Sequence, residues 1–175
     1  MRRYERGADG TWHDGLLMEW TDDAPEGALS PLRAATLEDV PTLLDMMDAF
    51  NRLEGIPWSR DACDGALRKL LCDATPGAVG LVVEGAESVG YFVLTWGYDL
   101  EWQGRDAWPT EFYLSEGVRG RGLGARALEA VGSFAKAHDA RAMHLMVRED
   151  NASALRLYRR AGFEPPPRLC LSKAL

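Results

Sequence analysis

Three alternating glycines, Gly120, Gly122 and Gly124, follow a run of strand-forming residues and precede a helical apolar period. Phe112, Tyr113 and Leu114 favour a pleated surface. Leu123, Ala127, Leu128, Val131 and Ala135 then recur three or four residues apart, the spacing of one helical face. A strand, a glycine turn and a helix start form an anion site. The first helical turn carries amide N–H groups with no intrahelical acceptor and a partial positive charge. Glycine lets the backbone approach a phosphate closely, and Arg119 and Arg121 add fixed charge. The chemistry expected here is the gripping of a phosphate or pyrophosphate.

Two common phosphate loops fit poorly. A Walker loop ends in Gly-Lys-Ser/Thr, whereas this turn ends in Leu123-Gly124-Ala125. Gly120, Gly122 and Ala125 do satisfy the dinucleotide pattern G-x-G-x-x-G/A, which belongs near the start of a doubly wound sheet. Only about fifty residues follow it, too few for the remaining strand–helix units.

A second segment, Asn151-Ala152-Ser153-Ala154-Leu155-Arg156-Leu157-Tyr158-Arg159-Arg160-Ala161-Gly162-Phe163, reads locally as a short amphipathic helix. Asn151 is suited to its N-cap. Ala154, Leu157, Tyr158 and Ala161 share a face. Gly162 suits a left-handed C-cap, after which Phe163 packs back.

Arg119-Gly120-Arg121-Gly122-Leu123-Gly124 resembles the R/Q-x-x-G-x-G/A loop of the GCN5-related N-acetyltransferases. The Asn151–Phe163 segment is similar to that family's N-x-x-A-x-x-L/F-Y-x-x-x-G-F signature. Both stand in the family's order and spacing. The resemblance implies acetyl-CoA as co-substrate. Arg119, Gly120, Arg121, Gly122, Leu123, Gly124 and Ala125 would hold its pyrophosphate. Phe112, Tyr113 and Leu114 would meet the acetyl-pantetheine through backbone groups. His144 to Met146 would flank the pantetheine arm, Asn151, Ser153 and Ala154 would touch the coenzyme, and Tyr158 would face the sulfur as proton donor. None of His13, His138 and His144 has metal or triad spacing, so no metal is expected and none is given a catalytic part.

Within the family the chain looks most like the diamine (spermidine/spermine) acetyltransferases. Leu32-Arg33-Ala34-Ala35-Thr36 resembles their opening strand, and Met143-His144-Leu145-Met146-Val147 their fifth. Leu53 and Glu54 stand where that branch contacts its acceptor. From their type alone, Trp58, Trp96 and Trp102 either wall an acceptor pocket by cation–π contact or belong to the core or a dimer surface. One departure matters. Where that branch has Leu-Glu-Asp, with the glutamate its proposed base, this chain has Pro109-Thr110-Glu111. One step along a strand turns a side chain to the opposite face. Either a bulge re-aims Glu111 toward the acceptor, or the base is water or another carboxylate.

Composition sets the outer bounds. The chain has 175 residues and a formal net charge of −7, which argues against general nucleic-acid affinity and suits a cationic amine. Cys63, Cys72 and Cys170 have no C-x-x-C spacing and read as reduced thiols. No apolar run is long enough to span a bilayer, and no signal region follows the first residues. The expectation is a cytoplasmic enzyme, homodimeric by resemblance. The rivals are an acyl-CoA sensor, a dinucleotide oxidoreductase, and acetyltransferases acting on peptides or aminoglycosides.

The remaining elements must position these groups. Residues 1–30 are read as an extension, with an Asp9-Gly10 hairpin signal and a short strand over Leu16–Trp20. Residues 31–175 are read as the catalytic domain. Thr36 and Asp39 form a capping box opening a helix striped by Val40, Leu43, Leu44, Met47 and Phe50, which runs out at Asn51–Pro57. A second helix is expected over Ser59–Leu71. A hairpin of Ala78–Val83 and Ser88–Trp96 turns at Glu84–Glu87, and Tyr98 to Trp108 lead round into the organising strand. Strands over Arg141–Val147 and Arg168–Leu175 complete a mixed α/β fold, a mostly antiparallel sheet with helices on both faces.

Overall fold

The computed structural model describes residues 30–174, together with the backbone of two short strands, Glu5–Arg6 (β1) and Trp12–His13 (β2), which pair antiparallel. The Asp9-Gly10 turn and the Leu16–Trp20 run lie outside the described residues. Leu32–Ala34 forms β3. At Thr36 the chain turns into a 3-10 segment, where the Asp39 carboxylate accepts from the Thr36 N–H and hydroxyl at 2.8 and 3.0 Å. Arg33 grips the same carboxylate at 2.7 Å and holds it down to about 2. The capping box is therefore also an ion pair.

Helix α1 spans Val40–Glu54 and ends at Gly55 in the left-handed region. It runs further than the Asn51 punctuation suggested. The Asn51 side chain bonds back to the Met47 carbonyl at 2.8 Å, which satisfies its amide inside the helix. Helix α2, Arg60–Cys72, starts on a Ser59 cap. Strands β4 (Gly77–Glu84) and β5 (Glu87–Asp99) form the expected hairpin, with Gly85 in the left-handed region at its turn. Strand β6 is Gly104–Leu114. Tyr98 and Trp108 therefore lie within paired strands, and the turn is confined to residues 100–103. Helix α3 is Leu123–Ala137, β7 is Ala142–Met143 and α4 is Ala152–Arg160.

The sheet order is β3-β4-β5-β6-β7, antiparallel except for the parallel β6–β7 pair. Period-two alternation along β5 divides the core. Tyr91 and Val93 face α1 and α2 with Leu43, Leu44, Met47 and Leu67. Phe92 and Leu94 face α3 with Leu123, Ala127 and Val131. Helices thus cover both faces, as expected.

Two expected strands fall short. The fifth keeps only Ala142 and Met143 of Arg141–Val147, because the chain turns away from β6 immediately afterwards. Arg168–Leu175 forms no strand in its described part. Pro165, Pro166 and Pro167 lack amide donors, and Leu169 and Leu171 stay exposed rather than pairing on the shortened β7. Arg168 instead makes an exposed ion pair with Glu101 at 2.6 Å.

Candidate active site

The glycine loop leaves β6 through a 3-10 turn at Glu116–Val118 and enters α3 at Leu123. Gly120 and Gly122 have φ of 78° and 84°, conformations that side chains rarely adopt. Gly124 lies close to two leucine side chains. A Cβ there would lie 3.3 Å from Leu114 Cδ1 and 3.6 Å from Leu157 Cδ2. From Gly120 to Gly124, no amide donates to an acceptor among the described residues; the first turn of α3 closes only at Ala125 and Arg126, which donate to the Gly122 carbonyl. Arg119 Nε donates to the Leu114 carbonyl at 2.8 Å, and its guanidinium lies 5.6 Å from the Tyr113 ring centroid. Arg121 donates to the Gly117 carbonyl. The two arginines brace the turn as well as charging it. We expect Gly122→Ala to cost about 1–2 kcal/mol of backbone strain and to raise the acetyl-CoA KM about tenfold with kcat little changed, measured by steady-state kinetics.

Leu157 of α4 lies close to Gly124, which places the loop beside that helix. Asn151 caps that helix, its side chain accepting from the Ala154 amide at 3.1 Å. Gly162, at φ 88°, closes its end. The Phe163 amide returns to the Tyr158 carbonyl at 3.0 Å, and the two rings meet edge-on at 5.8 Å. The Tyr158 hydroxyl makes no hydrogen bond among the described residues. Burial first, and the Glu54 carboxylate second, push the phenol up from its ordinary value. Glu54 is tethered nearby, since Arg148 donates to its carbonyl at 2.9 Å while pairing with Asp150.

The sheet opens beside this contact. The His144 amide donates to the Ala107 carbonyl at 2.8 Å, the last rung between β6 and the chain after β7. Leu145 to Val147 make no backbone bond to β6 among the described residues. The β6 edge that carries Phe112 and Leu114 therefore lies beyond the last rung.

Glu111 is re-aimed by a bulge. Val93 pairs with Glu111 and Leu94 with Pro109, leaving Thr110 as the extra residue. Its hydroxyl donates to the Val93 carbonyl at 3.3 Å. Without the bulge Glu111 would share the face of Ala107 and Pro109, toward α3. With it, Glu111 joins Tyr91 and Tyr113 on the α1/α2 face and accepts from the Tyr91 hydroxyl at 2.6 Å. Burial pushes the Glu111 carboxyl above its ordinary range, and the Tyr91 hydrogen bond offsets part of that.

The structure does not bring the tryptophans together. Trp96 lies on the opposite face, stacked 6.2 Å from Phe134 and 5.6 Å from His138 beneath Arg105, so it is no wall of a pocket with Glu111. Trp58 packs with the α1/α2 core, Trp102 lies against His144 at 5.8 Å, and Leu53 is exposed. Sequence reading missed Asp106. This carboxylate is 4% exposed, accepts from Trp108 Nε1 at 3.0 Å and has an oxygen 3.7 Å from His144 Nε2. A Cβ on Gly97 would lie 2.1 Å from Asp106 Oδ1, so only glycine admits the carboxylate there. The available signal was an aspartate in a β-rich run followed by tryptophan. Among the described residues no cluster has the makings of a metal site.

Residues 43–163 match the model of the acetyltransferase (GNAT) family. The chain belongs to that family. GNAT enzymes use acetyl-CoA as co-substrate, and this chain is accordingly an acetyltransferase. It is 29% identical over 136 residues to a Bacillus subtilis spermine/spermidine N(1)-acetyltransferase, covering 76% of this chain and 86% of the relative. An integron cassette protein from the mobile metagenome of Cole Harbour Salt Marsh is 36% identical, with a TM-score of 0.75 over 85% of this chain and 93% of that one. A crystal structure from Arthrobacter sp. FB24 is 26% identical, with a TM-score of 0.71 over 88% and 100%. The GNAT co-substrate fits the cradle, where five amides in succession lack acceptors among the described residues and two left-handed glycines keep side chains out of the way.

Proposed function

We propose that the chain transfers an acetyl group from acetyl-CoA to a primary amine of a small cationic acceptor, polyamine or amino-acid-like, by direct attack in a ternary complex. The observation that carries this reading is the closeness of Leu157 to Gly124, which sets the glycine loop beside the tyrosine helix. Acetyl-CoA supplies an acetyl group already activated as a thioester. The amides and arginines from Arg119 to Ala125 hold its diphosphate. Phe112 and Leu114 present backbone groups along the opened sheet edge, the Leu114 amide as an oxyanion contact. Asn151, Ser153 and Ala154 border the coenzyme at the start of α4.

Tyr158 gives its phenolic proton to the departing sulfur, and Glu111 takes a proton from the attacking nitrogen, directly or through water. The raised phenol keeps its proton at neutral pH. Glu54, at the end of α1, attracts the acceptor's cationic end. The acidic balance of the chain and the named activity of the Bacillus relative support an amine of this class. The reading carries with it a cytoplasmic setting, with Cys63, Cys72 and Cys170 as thiols, and a homodimer. Among the described residues no helix is long and apolar enough to cross a membrane.

A thiol-release screen over polyamines, amino acids, aminoglycosides and peptides tests the assignment. Acetyl-CoA should raise Tm where NAD(P) does not, and a polyamine or amino acid should release thiol. Stabilisation by acetyl-CoA with no release from any amine would make the chain a sensor. Stabilisation by NAD(P) alone would overturn the reading.

A further inference from the structure

Tyr91 lies in the middle of β5 with no exposed surface, and its hydroxyl is committed to Glu111. A buried tyrosine needs a partner for its O–H. Here the partner is a carboxylate of the adjacent strand, on this face only because Thr110 is extra. The ring is held by its neighbours. Tyr113, its cross-strand partner, lies 5.8 Å away, and Phe50 of α1 meets it edge-on at 6.4 Å. The hydroxyl therefore addresses a fixed point. Oε2 of Glu111 is anchored there, and no other side chain among the described residues bonds to the carboxylate.

We propose that Tyr91 is a positioning residue for acetyl transfer: its phenol pins one oxygen of Glu111 so that the other faces the acceptor nitrogen as an oriented carboxylate. This rests on the reading of Glu111 as the proton acceptor. Tyr91 makes no contact with the reacting atoms and acts only through Glu111. The titratable groups around this pair are Tyr91 from β5, Tyr113 from β6 and the Cys63 thiol from α2; the side chains that α1 packs here, Leu43, Leu44, Met47 and Phe50, are apolar. Arg119 is turned to the Tyr113 ring, and Glu111 has no ion-pair partner among the described residues. The Tyr91 hydrogen bond is thus what opposes burial at this carboxylate. Its loss shifts Glu111 toward the protonated form.

The test compares Tyr91→Phe, Glu111→Gln and the double variant, using kcat/KM for spermidine across about pH 5 to 9. A carbon-13 NMR titration of labelled glutamate reads Glu111 directly and needs no acceptor. Tyr91→Phe should move both the acid limb and the NMR midpoint up by about one pH unit, an approximately tenfold loss below the limb. Its plateau should stay within about threefold of the parent. The double variant should be no worse than Glu111→Gln alone. The acceptor's own ionisation is common to all variants and cancels in the comparison.

An unmoved NMR midpoint in Tyr91→Phe would overturn the proposal. So would a uniform loss of activity with the limb in place, which is what a packing role alone produces. An active Glu111→Gln with a normal profile would instead remove Glu111 as the base and take the Tyr91 role with it. The two failures are therefore distinguishable.

Discussion

Tyr158→Phe is expected to lower kcat by about 10²–10³-fold while leaving acetyl-CoA affinity within about twofold. The substitution removes one oxygen and keeps the ring. The edge-on contact with Phe163 and the helix end closed by Gly162 stay in place, so neither α4 nor its contact with the loop should move. The phenol has no competing partner among the described residues, and burial holds it above its ordinary value. It is thus protonated at neutral pH and, in the proposed mechanism, available to the leaving sulfur. Steady-state kinetics give kcat, and calorimetric titration with acetyl-CoA gives binding. A variant that binds and turns over like the parent would remove Tyr158 as the acid.

Glu111→Gln should do two things with opposite value to the protein. Activity should fall by about 10²–10³-fold, since glutamine takes no proton from an amine. Stability at pH 7 should rise by about 1 kcal/mol, after allowance for partial exposure, or about 2–4 °C in Tm. The sign follows from the direction of the shift. The folded chain holds this carboxyl above its ordinary value because burial disfavours the charge. Such a group contributes stability in full below its unfolded value and loses it as pH rises through the folded value. At pH 7 the ionised form is a net cost, which a neutral amide avoids while still accepting from Tyr91. Calorimetry at pH 7 and pH 4 should show the gap between variant and parent closing at the lower pH. A variant as active as the parent and less stable at pH 7 would contradict both halves.

Local signals were legible and long-range ones were not. Thr36 and Asp39, Ser59, Asn151 and Gly162 each act on neighbours a few residues away, and each forms the cap its type dictates. The glycine loop was equally readable, because left-handed backbone at Gly120 and Gly122 is a property of those residues alone. Trp96 was misplaced because its face depends on counting from Tyr91: five steps along an alternating strand put it with Phe134, away from Glu111. Asp106 escaped notice because its burial depends on Gly97, a cross-strand neighbour visible only once the register is known. The expected last strand failed for want of an edge, since β7 stops after two residues.

The extra residue at position 110 has a bearing on how relatives are compared. By resemblance, this chain carries threonine at the position where the diamine branch has its glutamate, with Glu111 one place along. Along a strand, however, an added residue inverts inside and outside for every position after it. Homology of columns and equivalence in space then part company, and the functional counterpart of a residue can sit one place along. In this chain the bulge decides that Glu111, and not its neighbour, stands on the Tyr91 face.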